Sequence, residues 1–300
     1  MDRFTTLKVF VAVGEAQSFA AAARRLSLSP PAVTRAVSAL EQTLGVKLLQ
    51  RTTRIVRLTE AGTRYLLDCK RILSELDDAD QAASGALAEV RGTLALTASV
   101  LFGRLFVAPL VREFLGRHAQ VNVRALFVDR VVDLIEEGLD VAVRVAHLSD
   151  ASFSAIRVGA VRNVVCASPA YLKRHGVPRT PDDLKGRAAL CYSADRSPPV
   201  WSFRSGKRTL SVRPSARLIV NSQEVAMQGA VAGEGVTRVL SYQAASDVKA
   251  GRLRIILSEF EPEPIPIHVI HREGKRAAAR VRAFVDFAVA ELRENPLLES

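Results

Sequence analysis

The sequence predicts an α/β protein in three parts: an N-terminal winged helix-turn-helix, a long linker helix and a bilobal α/β domain. Three observations carry this reading. Two short, capped helix patterns meet at a tight turn within residues 18–49, SFAAAARRLSLSPPAVTRAVSALEQTLGVKLL. An apolar stripe at alternating steps of three and four then runs over residues 59–90. From Gly92 onward, strand patterns alternate with helix patterns, as in sheets with helices on their faces.

The first helix lies in MDRFTTLKVFVAVGEAQ, and Phe4, Leu7, Phe10 and Val11 are expected to pack it under the helix pair. Ser18 is a good N-cap for the second helix, whose residues 19–26 contain four alanines. Residues 27–29 break the pattern. Ser29 caps the third helix, and Pro30 at its first position loses no hydrogen bond. Val33, Ala36, Val37, Leu40 and Leu44 then face inward, and Gly45 ends the helix. Thr34, Arg35, Ser38 and Gln42 are left on the outer face, as polar side chains that reach base edges in a major groove, and Ser29, Pro30 and Pro31 on the N-terminal turn join them as candidate DNA contacts.

A pair of capped helices also occurs in all-helical proteins with no DNA partner. The next segment, KLLQRTTRIVRLTEAG (residues 47–62), adds a hairpin pattern carrying Lys47, Arg51, Thr52, Arg54 and Arg57. A basic hairpin beside a recognition helix is a wing, which grips phosphates. Residues 1–71 hold 12 Lys and Arg against 5 Asp and Glu, whereas residues 72–91 hold 1 against 5. Positive charge is thus concentrated where the helix pair sits, as in a DNA reader.

Over FAAAARRLSLSPPAVTRAVSALEQTLGVKLLQRTTRIVRLTEAG the sequence resembles the LysR-type transcriptional regulators. The alanine-rich helix, Leu40-Glu41, Leu44-Gly45, Leu48, Arg51 and Leu58-Thr59-Glu60-Ala61-Gly62 stand in the family's register, and the resemblance spans nearly the whole chain. It implies a periplasmic-binding-protein-like effector domain after the linker helix. It also implies a homodimer or dimer of dimers on an inverted repeat of double-stranded DNA, a small-molecule effector, and RNA polymerase as a further partner. Pro30 stands where many members carry a base-reading glutamine, and Ala146 where they usually carry glycine.

The expected divisions are 1–58 (winged helix-turn-helix), 59–90 (linker and dimerisation helix) and 91–300 (effector domain). Lobe one takes residues 91–162 and 266–300, and lobe two residues 163–265. On the linker, Leu66, Cys69, Leu73, Leu76, Asp80, Ala83, Leu87 and Val90 form the seam, with Tyr65, Ile72, Ala79 and Ala86 beside it. Such a stripe needs a partner: a second copy, as the resemblance implies, or the chain's own second domain. In the lobes, strands are expected at 93–97, 121–128, 140–145, 164–167, 235–240 and 265–270. Helices are expected at 102–115, 130–137, 169–175, 222–232 and 275–292, and the sheets are expected to be largely parallel.

Ligands of open α/β sheets sit beyond the carboxyl ends of strands. The first such end, Ser99, Val100 and Leu101, opens a helix whose N–H groups suit a carboxylate, though Ser99 can equally be a plain N-cap. The resemblance also puts a ligand-contacting Ser or Thr here. Arg144, Ala146 and His147 stand at another strand end, where Arg144 can pair a ligand carboxylate or bridge to Asp129 or Asp140. Trp201 and Phe203 are candidates for an apolar wall or for core.

The chain has 300 residues, 48% of them hydrophobic, and a formal net charge of +11, which points to a polyanionic partner. No run of 18 apolar residues occurs, and Asp2, Lys8 and Glu15 spoil any signal-peptide pattern, so a cytoplasmic bacterial protein is expected. Cys69, Cys166 and Cys191 lack metal-ligand spacing and read as small hydrophobes rather than an oxidant-sensing pair. The five histidines form no ligand pair on a helix face, and no phosphate loop, dinucleotide fingerprint or nucleophile elbow is present. Neither enzyme chemistry nor a cofactor is expected. An architectural DNA protein remains the rival reading, and it leaves some 200 residues of lobed structure unused.

Overall fold

The computed structural model describes residues 1–51, 56–83, 90–148, 154–193, 199–271 and 277–299. Its contacts divide the chain into two compact units, one of Met1–Glu89 with Ile135–Gly138, the other of Val90–Leu134 and Leu139–Ser300.

In the first unit, Asp2 caps α1 (Arg3–Ala16) by accepting the Thr5 N–H at 2.9 Å. Ser18 caps α2 (Phe19–Arg25), Ser27 makes the turn with φ of 54°, and Ser29 caps α3 (Pro30–Leu44). Gly45, left-handed at φ 68°, ends α3. The wing pairs β1 (Leu49–Arg51) antiparallel to β2 (Val56–Leu58), and α4 (Glu60–Ala83) follows. The core gathers Phe10, Val13, Ala22, Val37, Leu40, Leu48 and Leu66.

Two expectations need correction here. The buried face of α1 is Leu7, Val9, Phe10, Ala12 and Val13, whereas Phe4 is 45% exposed and Val11 only partly buried. Contacts with α2, α3 and α4 widen the buried stripe beyond one ridge, and Phe4 stands on the open first turn. The linker seam is also spent differently. Leu66 and Cys69 are buried in the first unit's own core, Leu73 packs against it, and Tyr65 meets Phe10 at 5.6 Å between ring centroids. α4 therefore uses the start of its stripe on α1, leaving Ile72, Ala79 and Asp80 exposed. Val90 packs on the core of the second unit, and Leu87 lies outside the described residues.

The second unit opens with β3 (Gly92–Ala98), then a continuous helical stretch: α5 (Val100–Phe102), a π turn (Gly103–Val107) and α6 (Ala108–Arg117). β4 (Val121–Phe127), β5 (Val141–Val145) and β6 (Ser154–Val161) follow, and the chain passes to lobe two through β7 (Asn163–Ala167). That lobe contains α7 (Pro169–His175), β8 (Ala188–Tyr192), β9 (Trp201–Ser205), β10 (Arg208–Val212), β11 (Ser215–Val220), α8 (Gln223–Val231), β12 (Val236–Leu240), α9 (Ser241–Lys249) and β13 (Arg254–Ile256). β14 (Ile265–His271) returns to lobe one, and α10 (Ala279–Arg293) closes it.

The lobe-one sheet runs β4-β3-β5-β14-β6 and the lobe-two sheet β11-β8-β12-β7-β13. Both are mixed: four of the five strands in each run the same way, while β14 in lobe one and β7 in lobe two run against them, so half of the neighbouring pairs are antiparallel where largely parallel sheets were expected. The segments that travel between lobes supply the reversed strand of each sheet. Arg162 pins the crossing by pairing Glu261 at 2.8 Å, and Ser241 donates its N–H to the Arg162 carbonyl at 2.8 Å. Tyr242 of α9 reaches into the lobe-one core, edge-on to Phe102 and Phe106.

The helix expected at 130–137 does not form; the segment is a turn. Its natural cap, Asp129, is used elsewhere, accepting the Val100 N–H at 2.9 Å, and the adjacent β-branched Val131 and Val132 disfavour a costly short nucleus. No helix among the described residues is long and apolar enough to cross a membrane.

Candidate functional site

The surface expected to read DNA is built from α3 outward. Pro30, Pro31, Arg35 and Ser38 are exposed and Thr34 is half-buried, all on the side of α3 away from Val33, Ala36, Val37 and Leu40. The Ser29 hydroxyl oxygen accepts the Ala32 N–H at 3.3 Å, so this residue works first as a cap. Arg35 forms no ion pair among the described residues and projects a whole guanidinium. Arg51 ends β1, while Thr52 and Arg54 lie outside the described residues.

What holds the helix against the wing is Glu41, a carboxylate whose side chain is only 2% exposed. It accepts the N–H groups of Leu48 and Leu49 at 3.0 and 3.1 Å, and the Lys47 ammonium lies 2.7 Å away. Burial works against ionisation, but the hydrogen bonds from Lys47, Leu49 and Leu48 outweigh it and hold the carboxyl below its ordinary range. Thr59 then donates its hydroxyl to the Lys47 carbonyl and accepts the Gly62 N–H. Any Cβ at Gly62 would fall on the Leu48 carbonyl, which is why this closure needs glycine. The residues 41, 48, 59 and 62 that stand in the family register are thus one joint.

The second site is a cleft of about 950 Å³ between the lobes of the second unit. Ser99, Leu101, Arg144, Ala146, His147 and Trp201 line it, as expected from sequence. Val100 and Phe203 do not. The Val100 side chain is 47% exposed and its N–H is occupied by Asp129, so this helix end does not offer that donor to a ligand. Phe203 is 3% exposed in the lobe-two core, where Trp201 at 4% packs beside it; of the two only Trp201 also lines the cleft. Both proposed carboxylate neighbours of Arg144 take backbone donors, Asp129 from Val100 and Asp140 from Ala95 at 2.7 Å.

Sequence reasoning missed Tyr192, Arg238, Tyr242 and Gln243 on the cleft wall. Burial raises the Tyr192 hydroxyl, with Asp129 adding to it, and pushes Tyr242 up to about 12 against hydrogen bonds with Gln243 and Ser99. Arg238 had a readable signal: a lone charge inside the apolar strand VTRVL, which needs a reason to be there. The three thiols are buried, and burial pushes Cys69, Cys166 and Cys191 up to about 11, 12 and 11. Thiols so far from ionisation are poor nucleophiles, which fits their reading as small hydrophobes.

Both units have relatives among known proteins. The model of the bacterial regulatory helix-turn-helix protein, lysR family, matches residues 4–63, and that of the LysR substrate binding domain matches residues 87–293. The transcriptional activator AaeR of Escherichia coli strain K12 is 31% identical over 95% of this chain and 93% of its own length. A transcriptional repressor of Pseudomonas aeruginosa is 31% identical over 100% of this chain and 95% of its own. Among solved structures, CrgA of Neisseria meningitidis, a LysR-type regulator, superposes with a TM-score of 0.62 at 30% identity, covering 97% of this chain and 99% of that one. Full-length AphB of Vibrio cholerae shares the fold, with a TM-score of 0.63 at 23% identity, covering 96% and 99%. The chain belongs to the LysR family: it is a transcriptional regulator with a helix-turn-helix DNA-binding domain and an effector-binding domain, not an enzyme.

Proposed function

We propose that this regulator acts in the bacterial cytoplasm as a homodimer or dimer of dimers on an inverted repeat in promoter DNA. Thr34, Arg35 and Ser38 read base edges in the major groove, and Pro30 and Pro31 offer apolar contact, for instance to a thymine methyl. Ser29, Lys47, Arg51, Thr52 and Arg54 fix position on the phosphates. The stripe of exposed Ile72 and Ala79 with half-buried Leu76 on α4 is the surface for a second copy. A small anionic metabolite enters the cleft beside Ser99, Leu101, Arg144, Ala146, His147 and Trp201 and changes the spacing of half-sites. RNA polymerase is the further partner at an activated promoter. Coupling of about 1–3 kcal/mol would change DNA affinity some 5- to 150-fold.

The observation that carries this reading is Arg35, exposed and without an ion-pair partner among the described residues, on a helix whose opposite face is locked to the wing through Glu41. Binding to the DNA upstream of the protein's own gene, against scrambled DNA at one salt concentration, tests it. Arg35→Ala is expected to cost about 1–3 kcal/mol at one base pair. Equal weakening on every sequence would make Arg35 a phosphate contact instead. Ser99→Val is expected to remove the effector response and leave DNA affinity intact; an unaltered response would move the effector elsewhere.

A further inference from the structure

We propose that Arg238 is the anion receptor of the cleft and that the effector is a monocarboxylic acid with an apolar body, an assignment that rests on the cleft reading above. Arg238 stands on β12 in lobe two, lines the cleft, and lies 5.8 Å over the Phe203 ring. It is the one charged residue that lobe two contributes to the described cleft lining. Neither a carboxylate nor a carbonyl among the described residues accepts from its guanidinium.

Other arginines of this unit are treated differently. Arg162 pairs Glu261 at 2.8 Å, Arg280 donates to the Thr93 carbonyl at 2.9 Å, and Arg174 donates to the Gly233 carbonyl at 2.8 Å. Burial pulls Arg238 down to about 10, with no acid opposing it. Arg238 is half-buried, and a guanidinium partly drawn from water with no protein acceptor costs stability, so proteins keep such groups where function needs them. Phe203 below it offers only a weak cation–π contact at that distance.

The rest of the wall sets the ligand class. Trp201, Pro199, Val200, Leu101 and Val128 present apolar surface to the same space. On the lobe-one side, Asp129 fills the helix end at Val100 that would otherwise suit a phosphate, and its charge repels a dianion. One positive charge from lobe two with no acceptor among the described residues, an apolar surround and a blocked phosphate site together fit a single carboxylate on a hydrophobic body. The planar fork of arginine matches that carboxylate bidentately.

Trp201 is the only tryptophan of the chain, so intrinsic emission of the full-length protein reports this cleft. Benzoate, cyclohexanecarboxylate and hexanoate would each be titrated against the corresponding primary amide, with inorganic phosphate as a further arm. At least one acid is expected to shift Trp201 emission saturably, with its amide binding tenfold or more weakly and phosphate giving no shift. Arg238→Gln is expected to weaken that acid tenfold or more while its ligand-free Tm equals or exceeds that of wild type. Arg238→Lys, which keeps the charge and loses the fork, should fall between. Equal binding of acid and amide, undiminished binding by Arg238→Gln, or a response to phosphate alone would overturn the proposal. A fall in the ligand-free Tm of both variants would make Arg238 structural and overturn it too. If amides shift Trp201 and acids do not, the acid class fails and the cleft reading stands; silence from every arm would sink both.

Discussion

Glu41 in the DNA-binding unit is a buried charge and Arg238 in the effector unit a half-buried one, and their surroundings are opposite. Glu41 meets an ammonium and two backbone N–H donors within 3.1 Å. Arg238 meets the face of Phe203 and an open cleft. Both pay for desolvation, but only the acid is compensated within the fold. A compensated buried charge is a joint: it fixes helix against wing so that α3 can be presented rigidly. An uncompensated one facing a cavity is a receptor, and its stabilising partner arrives from outside. The difference teaches that burial alone does not separate structure from function; the partner list does.

Removing the joint should have the largest effect. Glu41→Ala leaves two buried N–H groups unpaired, at about 1–3 kcal/mol each, and urea unfolding of the helix-turn-helix would show the loss. The acid also carries a pH signature. Because its folded pKa is depressed, its contribution is present above the ordinary value of 4.5 and disappears as pH falls through the lower folded value. Glu41→Gln should flatten that acid limb, and an unchanged limb would place the pH-sensitive contact elsewhere. Next comes Gly62→Ala, which forces a methyl against the Leu48 carbonyl and should cost about 1–3 kcal/mol; a neutral result would mean that α4 can slide from the wing. The smallest effect is expected at Arg104–Glu224, an exposed pair at 3.0 Å that links lobe one to lobe two. Glu224→Gln should change stability by less than about 1 kcal/mol, with any loss fading as salt is raised. A larger change would show that this clasp, and not Arg238 alone, governs the lobes.

The DNA-binding unit was legible because its rules are short-range. Ser18, Ser29, Pro30 and Gly45 act within one helical turn, and each does what its chemistry requires. The inward face of α3 followed from its period. By contrast, the start of the α4 stripe packs on α1, some sixty residues away, and no local pattern tells that neighbour from a second copy of the chain. The turn at 130–137 escaped for a related reason: its cap, Asp129, was claimed by the distant helix start at Val100. The antiparallel strands were hidden as well, since their direction depends on which lobe the chain is leaving. Ser99 and Trp201 could be named as cleft residues from strand-end logic and residue type, but Phe203, two positions from Trp201 in the same core, does not line the cleft, and no local pattern separates the two.

Capping, periodicity and the placement of charge along the chain were thus enough to establish a DNA-reading head, a helical connection and an α/β effector region. They operate over a few residues, so the order of amino acids contains them in full. The cleft and its receptor depend on pairs far apart in the chain: Arg104 with Glu224, Arg162 with Glu261, Tyr242 with Phe102. Arg238 belongs with these, because the absence of an acid partner is a property of everything folded around it. A charge in an apolar strand can be seen in the sequence; whether it is neutralised is settled only when the lobes close around it in space.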